Sequence, residues 1–148
     1  MRFVAHFIAD VHQPLHVGRL RDRGGNRIDV IIGRRKSNLH RFWDAQWLLK
    51  RDRRIRDLDT ARQIASIDAL VADRIDVLQS VGVLDWARES HVVRPKVYAF
   101  AGAGGQPVRL DGAYVTMALE ISRTRLATAG VRLAGSLNEI FCPGPKAR

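Results

Sequence analysis

The sequence predicts a mainly α fold with one short β-hairpin or strand, and three observations carry that reading. Apolar residues recur at intervals of three and four over two long stretches, 59–80 and 111–140. β-branched residues cluster convincingly only once, in RIDVIIG (27–33). A chain of 148 residues with 46% apolar composition can bury one sizeable core, which makes residues 1–148 a single domain.

Taken in order, residues 2–10 read as the end of an apolar helix, and Pro14 then turns Gln13 away from helical backbone, so that His16 follows from a turn. Residues 17–26, VGRLRDRGGN, are a polar loop in which Gly24 and Gly25 supply turn chemistry. Asn38 is placed to cap a helix running to about Lys50, with Leu39, Phe42, Trp43 and Trp47 on its apolar face. KRDRRIRDLD (50–59) is a charge-dense connection. From Asp59 to Ser80, Ile64, Ile67, Val71, Ile75 and Leu78 mark one amphipathic helix. Trp86 to Phe100 is also helical, with Pro95 expected to kink or break it, and AGAGGQP (101–107) is a loop. The last element is the clearest: Val115, Leu119, Ser122, Leu126, Ala129, Leu133, Leu137 and Ile140 hold one face from Asp111 to Ile140, a rod of roughly 45 Å. CPGPKAR ends it.

Composition narrows the chemistry. No window approaches the roughly 18 apolar residues of a membrane span, and Met1 leads straight into an amphipathic stretch rather than a signal peptide. Cys142 is the only cysteine, which rules out an internal disulfide and a thiolate zinc cluster, so a metal site has to use His, Asp or Glu. The net charge is +10, and 21 of the 25 basic residues are Arg. Guanidinium groups suit phosphate oxygens, so a polyanionic partner and a merely well-solvated Arg-rich surface both fit.

The chemistry concentrates near the start. HFIADVHQPLH (6–16) holds three imidazoles and a carboxylate, with His6 and Asp10 four apart and therefore on one side of a helix. NLHRFWD (38–44) repeats the spacing with His40 and Asp44. One His-x-x-x-Asp pair is usually a surface hydrogen bond. Two pairs plus His16, with four of the five histidines inside the first 44 residues, favour a metal site of imidazole nitrogen and carboxylate oxygen.

HFIADVHQPLH, DRGGN (22–26) and NLHRFWD together resemble the zinc-dependent single-strand nucleases of the S-one/P-one type, whose multi-helical fold is shared with the zinc phospholipases C. The likeness continues through WARES (86–90), Tyr98, LDGAY (110–114) and AGVRLAGSLN (129–138), where it is mostly packing. The resemblance implies that His6 is a ligand of one zinc and that Asp10 is the catalytic carboxylate bridging two closely spaced zincs around an activated water. It implies that His16, His40 and Asp44 hold a third, more open zinc. The implied reaction is endonucleolytic cleavage of single-stranded DNA and RNA to 5′-phosphorylated products, with 3′-nucleotidase activity, outside the cytoplasm in a secreted or periplasmic setting.

The family's chains are longer, carry a mature N-terminal tryptophan that binds zinc, and supply further His and Asp ligands before the matching stretch. The present chain is therefore expected to be the C-terminal part of such a domain, with one fully liganded zinc site of the family's three. Its paired site keeps only His6 and Asp10. Ala45 stands where a small polar residue would reach substrate. Phe3, Phe7 and Ile8 are expected to lie uncovered, favouring self-association or loose packing.

Blander roles go to the rest. His12 orients the loop or a ligand through hydrogen bonds, and Asn26 pins its loop. Trp43 and Trp47 belong to the core rather than to base stacking. Glu89 and Ser90 pack between helices, and His91 lies on the surface. Two other readings compete: a non-catalytic zinc-binding helical module that holds nucleic acid by charge, and a phospholipase C-like esterase.

Overall fold

The structure is a computed structural model that describes residues 1–44, 60–100 and 107–142. Trp47, Ala45, the 50–59 connection, the 101–106 part of the expected loop and the tail beyond Cys142 lie outside the described residues. Helix α1 (Arg2–His12) ends where Pro14 dictates, with Gln13 extended at φ −81°, ψ 116°. A short turn follows, closed by the His16 N–H on the Gln13 carbonyl at 3.0 Å and the Gly18 N–H on the Leu15 carbonyl at 3.0 Å.

The β-branched run forms β1 (Asp29–Ile32), which hairpins onto β2 (Arg35–Asn38) with Asp29 opposite Asn38. Val30 and Ile32 point into the core, as alternation requires. A third strand, β3 (Val108–Leu110), pairs parallel with β1 and gives the order β2-β1-β3. Sequence reading missed β3. Three residues are too few to show a period, and only a partner far away in sequence makes them a strand.

Asn38 caps α2 (Leu39–Asp44) as expected, its Oδ1 accepting the Arg41 N–H at 2.7 Å, and Leu39, Phe42 and Trp43 are buried. The single helix expected over 59–80 is not formed. The chain instead makes α3 (Thr60–Asp68), a 3-10 turn (Ala72–Arg74) and α4 (Ile75–Gln79). The break comes where the Leu70 and Val71 N–H groups bond the carbonyls three residues back, at 3.0 Å each. That turn drives Val71 into the core and leaves Ile64 and Ile75 exposed, so the apolar stripe never shares one buried face.

Helix α5 (Val83–Val97) starts three residues before the expected Trp86. The helix runs through Pro95, which sits in its last turn, and Tyr98 terminates it, so Phe100 falls outside. The long helix α6 (Gly112–Phe141) is capped by the Asp111 carboxylate, which accepts the Tyr114 N–H at 2.7 Å. Its buried face follows the expected stripe only in part: Ala129 is buried and Val115 and Leu119 pack against the core, but Leu126 is 44% and Ile140 55% exposed, while Arg125 and Arg132 are buried.

Two kinds of interior explain that inversion. Around the sheet the core is apolar, with Val30, Ile32, Leu39, Phe42, Val97 and Val108 among its members. Trp43 belongs to it, donating Nε1–H to the Tyr114 hydroxyl at 2.9 Å, which in turn donates to the Val97 carbonyl at 2.6 Å. Where α1, α5 and α6 meet, the interior is ionic. Glu89 takes Arg132 in a two-pronged pair, with Nη1 to Oε2 at 2.7 Å and Nη2 to Oε1 at 2.6 Å, and Arg125 Nη1 at 2.7 Å. Burial alone would raise the Glu89 carboxyl, but the hydrogen bonds and charges of Arg132 and Arg125 outweigh it and hold the pKa at about 2.

This seam grips the end of α1. Arg125 Nε donates to the His12 carbonyl at 3.1 Å, and the Ser90 hydroxyl donates to the Val11 carbonyl at 2.6 Å. The His12 ring is buried within it, Nδ1 on the Ile8 carbonyl at 2.7 Å and Nε2 beside Arg132 Nη1 at 2.8 Å. A carbonyl only accepts and a guanidinium only donates, so the ring carries its proton on Nδ1. His12 thus ties the end of α1 to α6. Glu89 and Ser90 do pack between helices, and His91 is exposed beside Arg94. Phe3 and Phe7 are uncovered, at 74% and 64% exposed, but Ile8 is buried against expectation, on the inner side of α1.

Candidate metal centre

One turn of α1 separates His6 from Asp10, and the spacing puts His6 Nε2 3.4 Å from Asp10 Oδ2. The turn after Pro14 swings His16 back over the same carboxylate, its Nδ1 3.3 Å from Asp10 Oδ1. The other side of that ring, Nε2, faces Asp44 Oδ1 at 3.5 Å. His40, on the same helix as Asp44, stacks its ring on His16 with centroids 5.2 Å apart and planes 15° apart.

One donor atom from each of His16, His40 and Asp44 lies within 4.8 Å of the other two. Tetrahedral ligands about 2.0–2.1 Å from a zinc ion stand about 3.4 Å apart, so the set needs only a modest closing movement. Asp44 is 53% exposed and free to make it. Two imidazoles and a carboxylate, with solvent on the open side, are the donor set of a three-ligand zinc site. The residues fit the ion. His6 stays outside this group, exposed, and among the described residues it is joined to it through Asp10.

His40 is delivered by the DRGGN turn. Its Nδ1 lies 2.9 Å from the Gly24 carbonyl, which fixes the proton on Nδ1 and leaves the Nε2 lone pair for a metal. Arg23, Gly24 and Gly25 all take left-handed backbone, at φ 53°, 60° and 85°. At Gly24 a Cβ would stand 2.5 Å from the Leu15 carbonyl oxygen, so only glycine lets the turn close against the chain that bears His16. The Asp22 carboxylate accepts the Gly25 N–H at 2.9 Å, and the Asn26 side-chain amide donates to the Arg23 carbonyl at 2.9 Å.

Beside the donors runs an open cleft of about 540 Å³, lined by Asp10, Leu15, His16, Arg19, Arg23 and His40. Two arginines on the wall of an open cleft suit a phosphate-bearing ligand. Sequence reading singled out His16, His40 and Asp44, which the fold brings together, but gave no weight to Asp22, Arg125 and Arg132, which hold the turn and the helix beside them. DRGGN was a visible signal for the first; nothing local marked the arginines.

A family model described as S1/P1 Nuclease matches residues 1–142. Endonuclease 4 of Arabidopsis thaliana is 34% identical over 156 residues, an alignment covering 99% of this chain and 52% of that protein. Endonuclease 2 of the same plant is 33% identical over 157 residues, covering 94% of this chain and 50% of its own length. Nuclease S1 of Aspergillus oryzae is 31% identical over 154 residues, covering 95% of this chain and 53% of its own. The chain thus spans about half the length of the curated relatives it matches.

Proposed function

Because the chain belongs to the S1/P1 Nuclease family, we propose that it is a zinc-dependent phosphodiesterase. Its substrates are single-stranded DNA and RNA, which it cuts to 5′-phosphorylated products, and it removes 3′-phosphates from nucleotides. The observation that carries this reading is the convergence of His16, His40 and Asp44 within 4.8 Å beside an arginine-lined cleft. Zinc held there supplies Lewis acidity next to the scissile phosphodiester.

The chain's own groups divide the remaining work. His16 and His40 offer neutral imidazole nitrogen, and Asp44 offers an anionic oxygen. Asp10, with its two oxygens turned to His6 and His16, is the carboxylate we assign to the chemical step, where it orients the attacking water. His6 and Asp10 together mark a further metal position. Arg19, Arg23 and the +10 charge draw the nucleic-acid backbone toward the cleft. We read residues 1–148 as part of one nuclease domain and assign it to a secreted or periplasmic setting. Among the described residues no helix is long and apolar enough to cross a membrane.

The test is hydrolysis of a single-stranded oligonucleotide by the purified chain with added zinc, beside His40→Ala. Zinc-dependent cleavage that vanishes in the variant is the expected result. Equal cleavage by both proteins overturns the assignment. Among the described residues His6 lies outside the group of His16, His40 and Asp44, which favours a second reading: a zinc-binding module that holds nucleic acid without turnover. That reading predicts salt-sensitive binding and intact substrate in the same assay.

A further inference from the structure

The turn that presents His40 is under strain and needs holding. Arg23 has a side chain yet sits at φ 53°, in the left-handed region where a Cβ crowds the following carbonyl oxygen. Within the turn, the Arg23 N–H bonds the Leu20 carbonyl at 3.2 Å, and the Gly24 N–H bonds the Arg19 carbonyl at 3.0 Å. Asp22 adds its carboxylate on the Gly25 N–H. That carboxylate is only half-buried, and by itself would have solvent to turn to.

A residue far along the chain prevents this. The Tyr98 hydroxyl donates to Asp22 Oδ1 at 3.1 Å, the same oxygen that takes the Gly25 N–H. Tyr98 also lies beneath the Arg19 guanidinium, 4.3 Å from its ring centroid. It thus touches the turn at both its beginning and its middle. Tyr98 itself is firmly placed: it ends α5, its N–H on the Arg94 carbonyl at 3.2 Å, and its ring meets Phe100 edge-on. Burial first, and then the Asp22 charge, push the phenol up to about 12, so it keeps the proton it donates.

We infer that the Tyr98 hydroxyl is a positioning group for the metal centre. It acts through the Asp22 carboxylate on the turn whose Gly24 carbonyl orients His40. The inference rests on reading His16, His40 and Asp44 as metal ligands. Tyr98 touches neither metal nor substrate; its effect is on how well the His40 ring is aimed before an ion arrives.

Zinc affinity decides it, measured on the whole chain by competition with a chelating dye. The visible spectrum of the cobalt(II) form is a second readout of ligand geometry. Tyr98→Phe keeps the ring and removes only the hydroxyl; it should weaken zinc binding about threefold to tenfold, and Asp22→Asn about tenfold or more. Because the two groups act in series, the double variant should bind within about twofold of Asp22→Asn alone, whereas independent loosening at two places would add.

Zinc affinity of Tyr98→Phe within twofold of the parent, or fully additive losses in the pair, overturns the inference while leaving the site assignment standing if His40→Ala loses zinc. Unchanged zinc binding in His40→Ala overturns the site assignment itself, and the inference with it. Should Asp22→Asn fail to fold, the zinc affinity of Tyr98→Phe is decisive on its own.

Discussion

Gly24 and Gly33 have nearly the same backbone, φ 60° and φ 61°, but opposite surroundings, which makes them a controlled pair. Alanine at either incurs the left-handed penalty, about 1 kcal/mol or slightly more. At Gly33 nothing lies within 4 Å of the new Cβ, so that penalty is the whole effect. At Gly24 the Cβ would meet the Leu15 carbonyl oxygen at 2.5 Å, so backbone has to move. Forced overpacking of this kind adds about 1–3 kcal/mol. Gly24→Ala should therefore lower stability by about 2–4 kcal/mol, against about 1 for Gly33→Ala, in urea unfolding followed by circular dichroism. The metal readout separates them further. Moving the Gly24 carbonyl off His40 Nδ1 should weaken zinc binding about 10- to 100-fold, and Gly33→Ala should leave it unchanged. If the two variants are equally stable and bind zinc equally well, the turn does not deliver His40 as described.

Glu89→Gln strips the shared, part-exposed carboxylate from Arg125 and Arg132, both buried, and should cost about 1–3 kcal/mol in the same unfolding measurement; no measurable loss would show that the seam is not ionic in substance. Acid should destabilise in two overlapping steps. Burial lowers His12 from 6.5 to about 4, so the unfolded chain binds its proton first and stability falls between those values. Glu89 contributes fully above about 4.5 and loses its contribution as pH falls through about 2. A urea midpoint that stays level from pH 7 to pH 3 would contradict both assignments. Phe3 and Phe7 stack on each other in solvent, centroids 6.4 Å apart, so the chain should self-associate at micromolar concentration and Phe3→Ser with Phe7→Ser should reduce it. A monomeric light-scattering mass for the parent chain would refute that.

What the sequence made legible was whatever short-range chemistry decides. Pro14 ended α1, Asn38 capped α2, the β-branched run formed β1, and two His-x-x-x-Asp spacings marked His6, Asp10, His40 and Asp44 before any fold was known. What stayed hidden was settled by distant partners. β3 is a strand only because β1 lies beside it. Arg125 and Arg132 look like solvent-facing charges on a long helix, and it is the Glu89 carboxylate, with carbonyl and side-chain acceptors from other segments, that makes their burial tolerable. The 59–80 periodicity was real as a pattern but had no single face to pack against, so a local turn at Leu70 and Val71 won. Tyr98 carried no spacing signal, since its partner Asp22 is 76 positions away.

That last separation sets an order of events. The proposed donors all come from the first 44 residues, and the hydrogen bond on the His40 ring spans only 16 positions. The bond that steadies the turn spans 76, and contacts of such reach cost more closure entropy and tend to form late in folding. The nascent chain can gather its imidazoles and carboxylates well before α5 arrives to brace them. An ion met early finds a loose, exchangeable set, and the tight one exists only once the chain has closed. Zinc should accordingly act on the exit rather than the entrance, slowing unfolding far more than it hastens folding.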